Sequence, residues 1–271
     1  MIDFPNCKIN LGLNIVSKRD DGYHNIETEF YPLPLRDALE IIPSSDGLFE
    51  FSSSGLPIPG TPESNLCVKA WNLLQEEFGL PAVKMHLHKL IPMGAGLGGG
   101  SSDGAFSLKM LNNLFDLGLE NGQLMDFARK LGSDCAFFID NQPCHAFEKG
   151  DRFEPIPVDL AGFAVVIAVP GVHVNTALAY SMVTPKFPAR EVNELARLPV
   201  GNWKDWLVND FEKPVFEQFP VIGEIKTSMY ELGALYAAMS GSGSAVYGIF
   251  DVLPADYGVF RGCFVWVSPI Q

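Results

Sequence analysis

The stretch IPMGAGLGGGSSDGA, residues 91–105, gathers five glycines between Gly94 and Gly100 and runs straight into two serines. Glycine loses more conformational freedom on ordering than any other residue. Such a density therefore points to a ligand that needs bare backbone. Successive N–H groups without Cβ atoms can converge on an anion, and a helix beginning near Ser101 adds the positive end of its dipole. Ser101 and Ser102 supply hydroxyls for phosphate oxygens or a bound cation. The formal G-x-G-x-x-G at Gly94, Gly96 and Gly99 is weak by itself. A dinucleotide site needs a buried parallel strand ahead of it. The preceding VKMHLHK, residues 83–89, alternates instead and reads as an antiparallel strand with Lys84, His86 and His88 on one polar face. No Gly-Lys-Ser/Thr follows, so the P-loop pattern fails too. A hinge is the bland alternative, but hinges rarely lead into Ser-Ser at a helix start. The residues favour an anion site, for which a nucleotide is the commonest ligand.

Further stretches carry chemistry-bearing types: CKINLGLNIVSKRDDGYH (7–24), LGSDCAFFI (131–139), PGVHVNTALAY (170–180), NDFE (209–212) and MSGSGSAVYGIF (239–250). Together with PMGAGLGGGSSDGA they resemble, in order, the motifs of the GHMP kinases, a family that includes galactokinase, homoserine kinase and mevalonate kinase. The match is closest to the branch that phosphorylates a cytidine-diphosphate-linked polyol in the non-mevalonate route to isoprenoid precursors. The motifs run from residue 7 to residue 250, nearly the whole chain. The resemblance implies an α+β fold of two GHMP-kinase-like domains, with helices packed on antiparallel sheets. It also implies ATP as phosphate donor with Mg²⁺ beside it.

The residue roles follow from that resemblance. Asp134 is the expected base, where an isolated Asp is more often a turn residue. Lys8 is the expected charge stabiliser and should lie beside Asp134, where a mid-strand lysine is more often solvated. Asn10, two residues on along the same strand face, should bind a substrate hydroxyl or phosphate. Tyr23, His24 and Tyr180 should hold the cytosine by stacking and edge contacts, and Thr176 the diphosphate or ribose. For ATP, the resemblance carries over Pro92, Met93, Gly94, Ala95, Gly96, Leu97, Gly98, Gly99, Gly100, Ser101 and Ser102. Asn65 is an expected adenine contact, although simple helix capping explains it equally well. Lys89 is expected to approach the nucleotide, with a solvated strand-end lysine as the alternative. Gly241, Ser242 and Gly243 let a second backbone segment near the phosphates or substrate. The Mg²⁺ ligands are not evident; Ser102 is the one candidate side chain. His86 and His88 share a face but suggest no third metal ligand, and His145 and His173 fall in no constellation.

These residues must be positioned by a recognisable set of elements. Ile9, Leu11, Leu13 and Ile15 alternate with Lys8, Asn10, Gly12 and Asn14, the period of a strand. Asp20-Asp21-Gly22 is a turn, and a second strand follows over 23–31. Asn65 caps a helix that Gly79 ends near Phe78. Helices are expected over about 101–114, 123–131, 176–183, 189–197, 209–219 and 221–232. Strands are expected at 163–169, 236–239 and 245–250. GDRFEPIPVD reads as a boundary between an N-terminal nucleotide-binding domain, 1–155, and a C-terminal domain, 156–271. The segment after Phe250 is short and broken by Pro254 and Gly258, so the final helix of the family is expected to be truncated.

Composition narrows the function classes. The chain has 271 residues, 47% hydrophobic and 19% charged, with a formal charge of −13. An acidic chain is a poor partner for nucleic acid or an anionic membrane, yet a local amide cluster can still hold a small anion. Five cysteines without a Cys-x-x-Cys pair suit free thiols in a reducing compartment. The N-terminus lacks the build of a signal peptide, so a cytoplasmic protein is expected. No coiled-coil seam or apolar helix face marks an interface, so a monomer or weak homodimer is expected. The competing readings are a GHMP kinase for another small alcohol, a dinucleotide-dependent oxidoreductase, and a nucleotide-binding module without turnover.

Overall fold

The computed structural model describes residues 1–188 and 190–270. The strands are β1 (Ile2–Asp3), β2 (Asn6–Lys18), β3 (His24–Arg36), β4 (Ala38–Pro43), β5 (Glu50–Gly55), β6 (Val83–Lys89), β7 (Cys144–Phe147), β8 (Arg152–Pro155), β9 (Ala164–Val169), β10 (Tyr236–Met239), β11 (Val246–Phe250) and β12 (Phe264–Pro269). The helices are α1 (Leu66–Phe78), α2 (Gly99–Leu114), α3 (Asn121–Leu131), α4 (Phe137–Asp140), α5 (Thr176–Ser181), α6 (Val192–Ala196), α7 (Glu212–Gln218) and α8 (Pro220–Glu231). They form two compact units. One comprises Met1–Cys7, Pro34–Met93 and Gly98–Gln142; the other comprises Lys8–Leu33, Gly94–Leu97 and the chain from Pro143 onward. The units interleave along the sequence, so GDRFEPIPVD, expected as a boundary, falls within the second.

The first unit holds a sheet of order β1-β4-β6-β5. Leu39, Ile41, Val83, Met85 and Leu87 are buried on one face, with Glu40, Lys84, His86 and His88 on the other. The period-two reading of 83–89 therefore holds, but the pairing is mixed. β6 is antiparallel to β4 and parallel to β5. The parallel partner follows from a long excursion of the chain, which local alternation does not report. α1 starts where Asn65 Oδ1 accepts from Cys67 N at 2.8 Å and ends at Gly79 in the left-handed region, φ 68°. α2 begins at Gly99, two residues before the expected start, because Gly98 at φ 70° already turns the chain into the helix. α3 begins at Asn121 behind a Glu120–Gln123 capping box. α2 packs on both α1 and α3.

The second unit contains the sheets β2-β3-β7-β8 and β10-β11-β9-β12. AVVIAV of β9 is buried throughout, between β11 and β12, both antiparallel to it. α8 packs on β10 and β11. After Phe250 there is no long helix among the described residues; a short 3₁₀ turn at Gly258–Phe260 leads into β12, which completes the sheet beside β9. The turn after β2 forms as read: Gly22 has φ 85°, and Asp21 Oδ1 accepts from Tyr23 N at 3.0 Å. β2 differs from expectation in one respect. Its residues from Asn6 to Ile15 are all buried, so the polar face of Lys8, Asn10 and Asn14 meets protein rather than water.

Candidate active site

In the second unit, Lys8 is 3% exposed and Asn10 2%. A lysine so enclosed must have partners, since a buried unpaired charge is strongly disfavoured. Its Nζ donates to Asn10 Oδ1 at 2.6 Å and lies 4.7 Å from the centre of the Phe30 ring. Its backbone N donates to Leu97 O at 2.9 Å, which ties the strand to the glycine-rich loop. That loop is docked on the C-terminal glycine motif. Ala245 N donates to Ala95 O at 3.0 Å, and Ser240 Oγ donates to Gly96 O at 2.8 Å. Gly96 has φ 80°, and a Cβ there would fall 2.0 Å from Ser240 O, so no other residue fits. Gly94, φ 64°, lies against His173, which accounts for a histidine that had no constellation.

The NDFE stretch buttresses the same motif. Asn209 Nδ2 donates to Met239 O and Gly241 O, both at 2.8 Å, and Glu212 Oε1 accepts from Met239 N at 2.9 Å. Thr176 Oγ1 and Ser242 Oγ lie 3.1 Å apart, joining α5 to the motif. His24 and Tyr180 stack with ring centres 4.8 Å apart, and Tyr180 meets Phe211 edge-on. Burial, followed by the charge of Lys18, holds the His24 imidazole below its ordinary pKa. Tyr23 departs from the expected trio: it is 60% exposed, with the Lys149 ammonium 5.3 Å above its ring. Tyr23 precedes β3 in the turn, whereas His24 opens the strand and stacks on Tyr180.

In the first unit, Pro92 and Met93 are half-buried, and the first turn of α2 presents Gly99, Gly100, Ser101 and Ser102. Ser102 Oγ is buried and has no hydrogen-bond partner among the described residues. Asp134 is half-buried on a single 3₁₀ turn, Ser133–Ala136, and accepts a long hydrogen bond from Ser133 Oγ at 3.4 Å. Phe137, Phe138 and Ile139, which follow it in the chain, are buried. Asn65 acts as the helix cap. Lys89 differs from both of its expected settings. It is 0% exposed, and its Nζ lies 2.5 Å from Asp37 Oδ2 and 2.6 Å from Asp103 Oδ2. Both carboxylates occupy its ammonium, so its influence on the loop is exerted from beneath, where Gly99 packs against Nζ. Asp37 Oδ1 also accepts from Leu90 N and Ile91 N at 2.6 and 2.9 Å, fixing the entry to the loop.

Sequence reasoning did not single out Thr28, Tyr247, Asp37 or Asp103. Tyr247 O–H donates to Asn10 O at 2.7 Å. Of the remaining histidines, His86 and His88 bond Ser52 and Ser54 on the sheet surface, and His145 pairs with Glu29 at 3.0 Å. No group of three or more His, Cys, Asp or Glu among the described residues is arranged to hold a metal ion. No helix among them is long and apolar enough to cross a membrane.

The chain matches the family models described as GHMP kinases N terminal domain, over residues 65–147, and GHMP kinases C terminal, over 185–256. It is 54% identical over 253 residues to a 4-diphosphocytidyl-2-C-methyl-D-erythritol kinase of Bacteroides fragilis, covering 93% of this chain and 92% of the relative. It is 50% identical to the protein of that name in Parabacteroides distasonis, over 100% of both chains. A solved 4-(cytidine 5'-diphospho)-2C-methyl-D-erythritol kinase superposes with a TM-score of 0.77 at 34% identity, covering 92% of this chain and 90% of the other.

Proposed function

The chain belongs to the GHMP kinases, within the 4-diphosphocytidyl-2-C-methyl-D-erythritol kinase family, and from that membership we propose that it transfers the γ-phosphate of ATP to the 2-hydroxyl of 4-diphosphocytidyl-2-C-methyl-D-erythritol. It is an ATP-dependent kinase acting on an alcohol in isoprenoid-precursor biosynthesis. The observation that carries the finer reading is Lys8: a buried ammonium whose own backbone is bonded to the phosphate-cradle loop. Phosphoryl transfer to an alcohol requires alignment of two oxygens and stabilisation of developing charge more than covalent help from the protein. Lys8 offsets the charge on the acceptor oxygen, and Asp134 takes or orients its proton. Amides of Gly94–Gly100 and the first turn of α2 hold the phosphates, with Ser101 and Ser102 hydroxyls as further donors.

The buried, unpartnered Ser102 hydroxyl fits a site for phosphate with its metal. Mg²⁺ would arrive with ATP, held largely by phosphate oxygens and water, and offsets their charge when bound. Cytosine stacks on the outer face of the His24–Tyr180 pair, since rings 4.8 Å apart leave no room for a base between them. Stacking contributes roughly 1–3 kcal/mol per base. Thr176, Gly241, Ser242 and Gly243 face the diphosphate and ribose. The protein works in the cytoplasm, where ATP and the acceptor are available.

The test is ADP release from Mg-ATP across 4-diphosphocytidyl-2-C-methyl-D-erythritol, mevalonate, homoserine and galactose. Turnover with the first acceptor alone is expected. Turnover with one of the others instead would move the chain's substrate elsewhere in the superfamily. CDP should compete and UDP should not; equal competition would remove base-edge reading.

A further inference from the structure

We propose that Thr28 is a positioning residue for Lys8, acting through the side-chain amide of Asn10. Three buried groups form a chain with a forced direction. Thr28 is 0% exposed, and its Oγ1 donates to Gly12 O at 2.5 Å. A carbonyl can only accept, so the single hydroxyl proton is spent there. Toward Asn10 the hydroxyl can then only accept, and Asn10 Nδ2 donates to it at 2.9 Å. That bond decides which way the amide faces. Oδ1 is turned to Lys8 Nζ at 2.6 Å, with Ser240 Oγ also within 3.4 Å. The flipped amide would set N–H groups against an ammonium, donor against donor, in a place closed to water. The backbone of Asn10 is held at both ends as well: its N donates to Ser240 Oγ at 3.3 Å and its O accepts from Tyr247.

Asn10 is therefore engaged on both ends of its amide, toward Lys8 and toward Thr28. Its principal part is to aim the lysine, with substrate contact left to the remaining Nδ2 proton. The network reaches the nucleotide loop because the same Ser240 hydroxyl bonds Gly96 O. A one-ångström displacement of a reacting group can cost on the order of 100-fold in rate. Loss of the Thr28 hydrogen bond should thus appear in kcat before it appears in binding. This inference rests on the role given to Lys8 under Proposed function.

The experiment compares Thr28→Val, Thr28→Ser, Asn10→Ala and the Thr28→Val/Asn10→Ala pair in steady-state phosphorylation of 4-diphosphocytidyl-2-C-methyl-D-erythritol, with melting curves for each. Thr28→Val is expected to lower kcat about 10- to 100-fold with both KM values within about threefold, and Thr28→Ser to regain most of that rate. In the Asn10→Ala background the valine change should add little, because the Asn10–Thr28 hydrogen bond is already gone. Additive losses, or a serine variant as slow as the valine one, would overturn the proposal. In isotope-labelled wild-type protein, magnetisation transfer from the Asn10 amide protons to the Thr28 methyl is expected, and its absence would also overturn it. A wild type inactive on this acceptor would overturn the proposed function, while the amide measurement still decides the Asn10–Thr28 hydrogen bond.

Discussion

At the residue scale, the proposed chemistry rests on Lys8 and Asp134, and one glycine carries the geometry. Asp134→Asn and Lys8→Ala are each expected to lower kcat by on the order of 10²–10⁴, the usual worth of proton transfer and charge stabilisation, with the melting temperature little changed for Asp134→Asn. A purified Asp134→Asn with near-normal kcat would remove the base assignment. Gly96→Ala forces a Cβ onto Ser240 O in a left-handed backbone, and should cost roughly 1–3 kcal/mol in stability, read from denaturant melts. Lys8 and Asn10 were legible as one strand face from the period of two. Their burial was not, because alternation reports which residues share a face and says nothing of what covers it. Thr28 was invisible for a related reason: it meets Asn10 across a register between strands, and no local spacing encodes register.

At the element scale, the buried triad of Asp37, Lys89 and Asp103 joins the residue just before β4, the end of β6 and the second turn of α2. Lys89→Met leaves two buried carboxylates without their cation, and should destabilise by about 3–5 kcal/mol. Asp103→Asn leaves a balanced pair and should cost far less; equal losses in denaturant melts would contradict this account. Burial raises the Asp103 carboxyl to about 7, opposed by Lys89 and reinforced by Asp37. The folded state therefore binds this proton more tightly than the unfolded chain does. Stability from this group is greatest below the ordinary carboxylate range and is lost as pH rises toward 7. The difference between wild-type and Asp103→Asn melting temperatures should shift across that window in favour of the variant. α1 was legible almost to the residue, because Asn65 and Gly79 are local signals whose chemistry ends a helix. The triad was not legible: Asp37 lies 52 residues from Lys89, and only the folded sheet brings them together.

At the scale of the whole molecule, a formal charge of −13 opposes the approach of an anionic nucleotide to the amides proposed to hold it. Screening weakens the long-range repulsion more than the short contacts. The association rate for ATP should therefore rise as ionic strength goes from about 10 mM to about 150 mM; a fall would mean that a basic local field dominates the approach. The α+β class was expected from the motifs that resemble the GHMP kinases, while the interleaving of the two compact units was not legible, since a linear string suggests consecutive domains. That interleaving bears on how the chain can be rebuilt. Gly94–Leu97 is counted with the C-terminal half and Gly98 onward with the other unit, so one short motif is shared between two folding neighbourhoods. A chimera joined to a relative near residue 155 would pair one parent's Gly96 with another parent's Ser240. Such hybrids should tolerate exchange only when residues 94–97 travel with the C-terminal segment, which makes those four residues, though early in the gene, part of its later half.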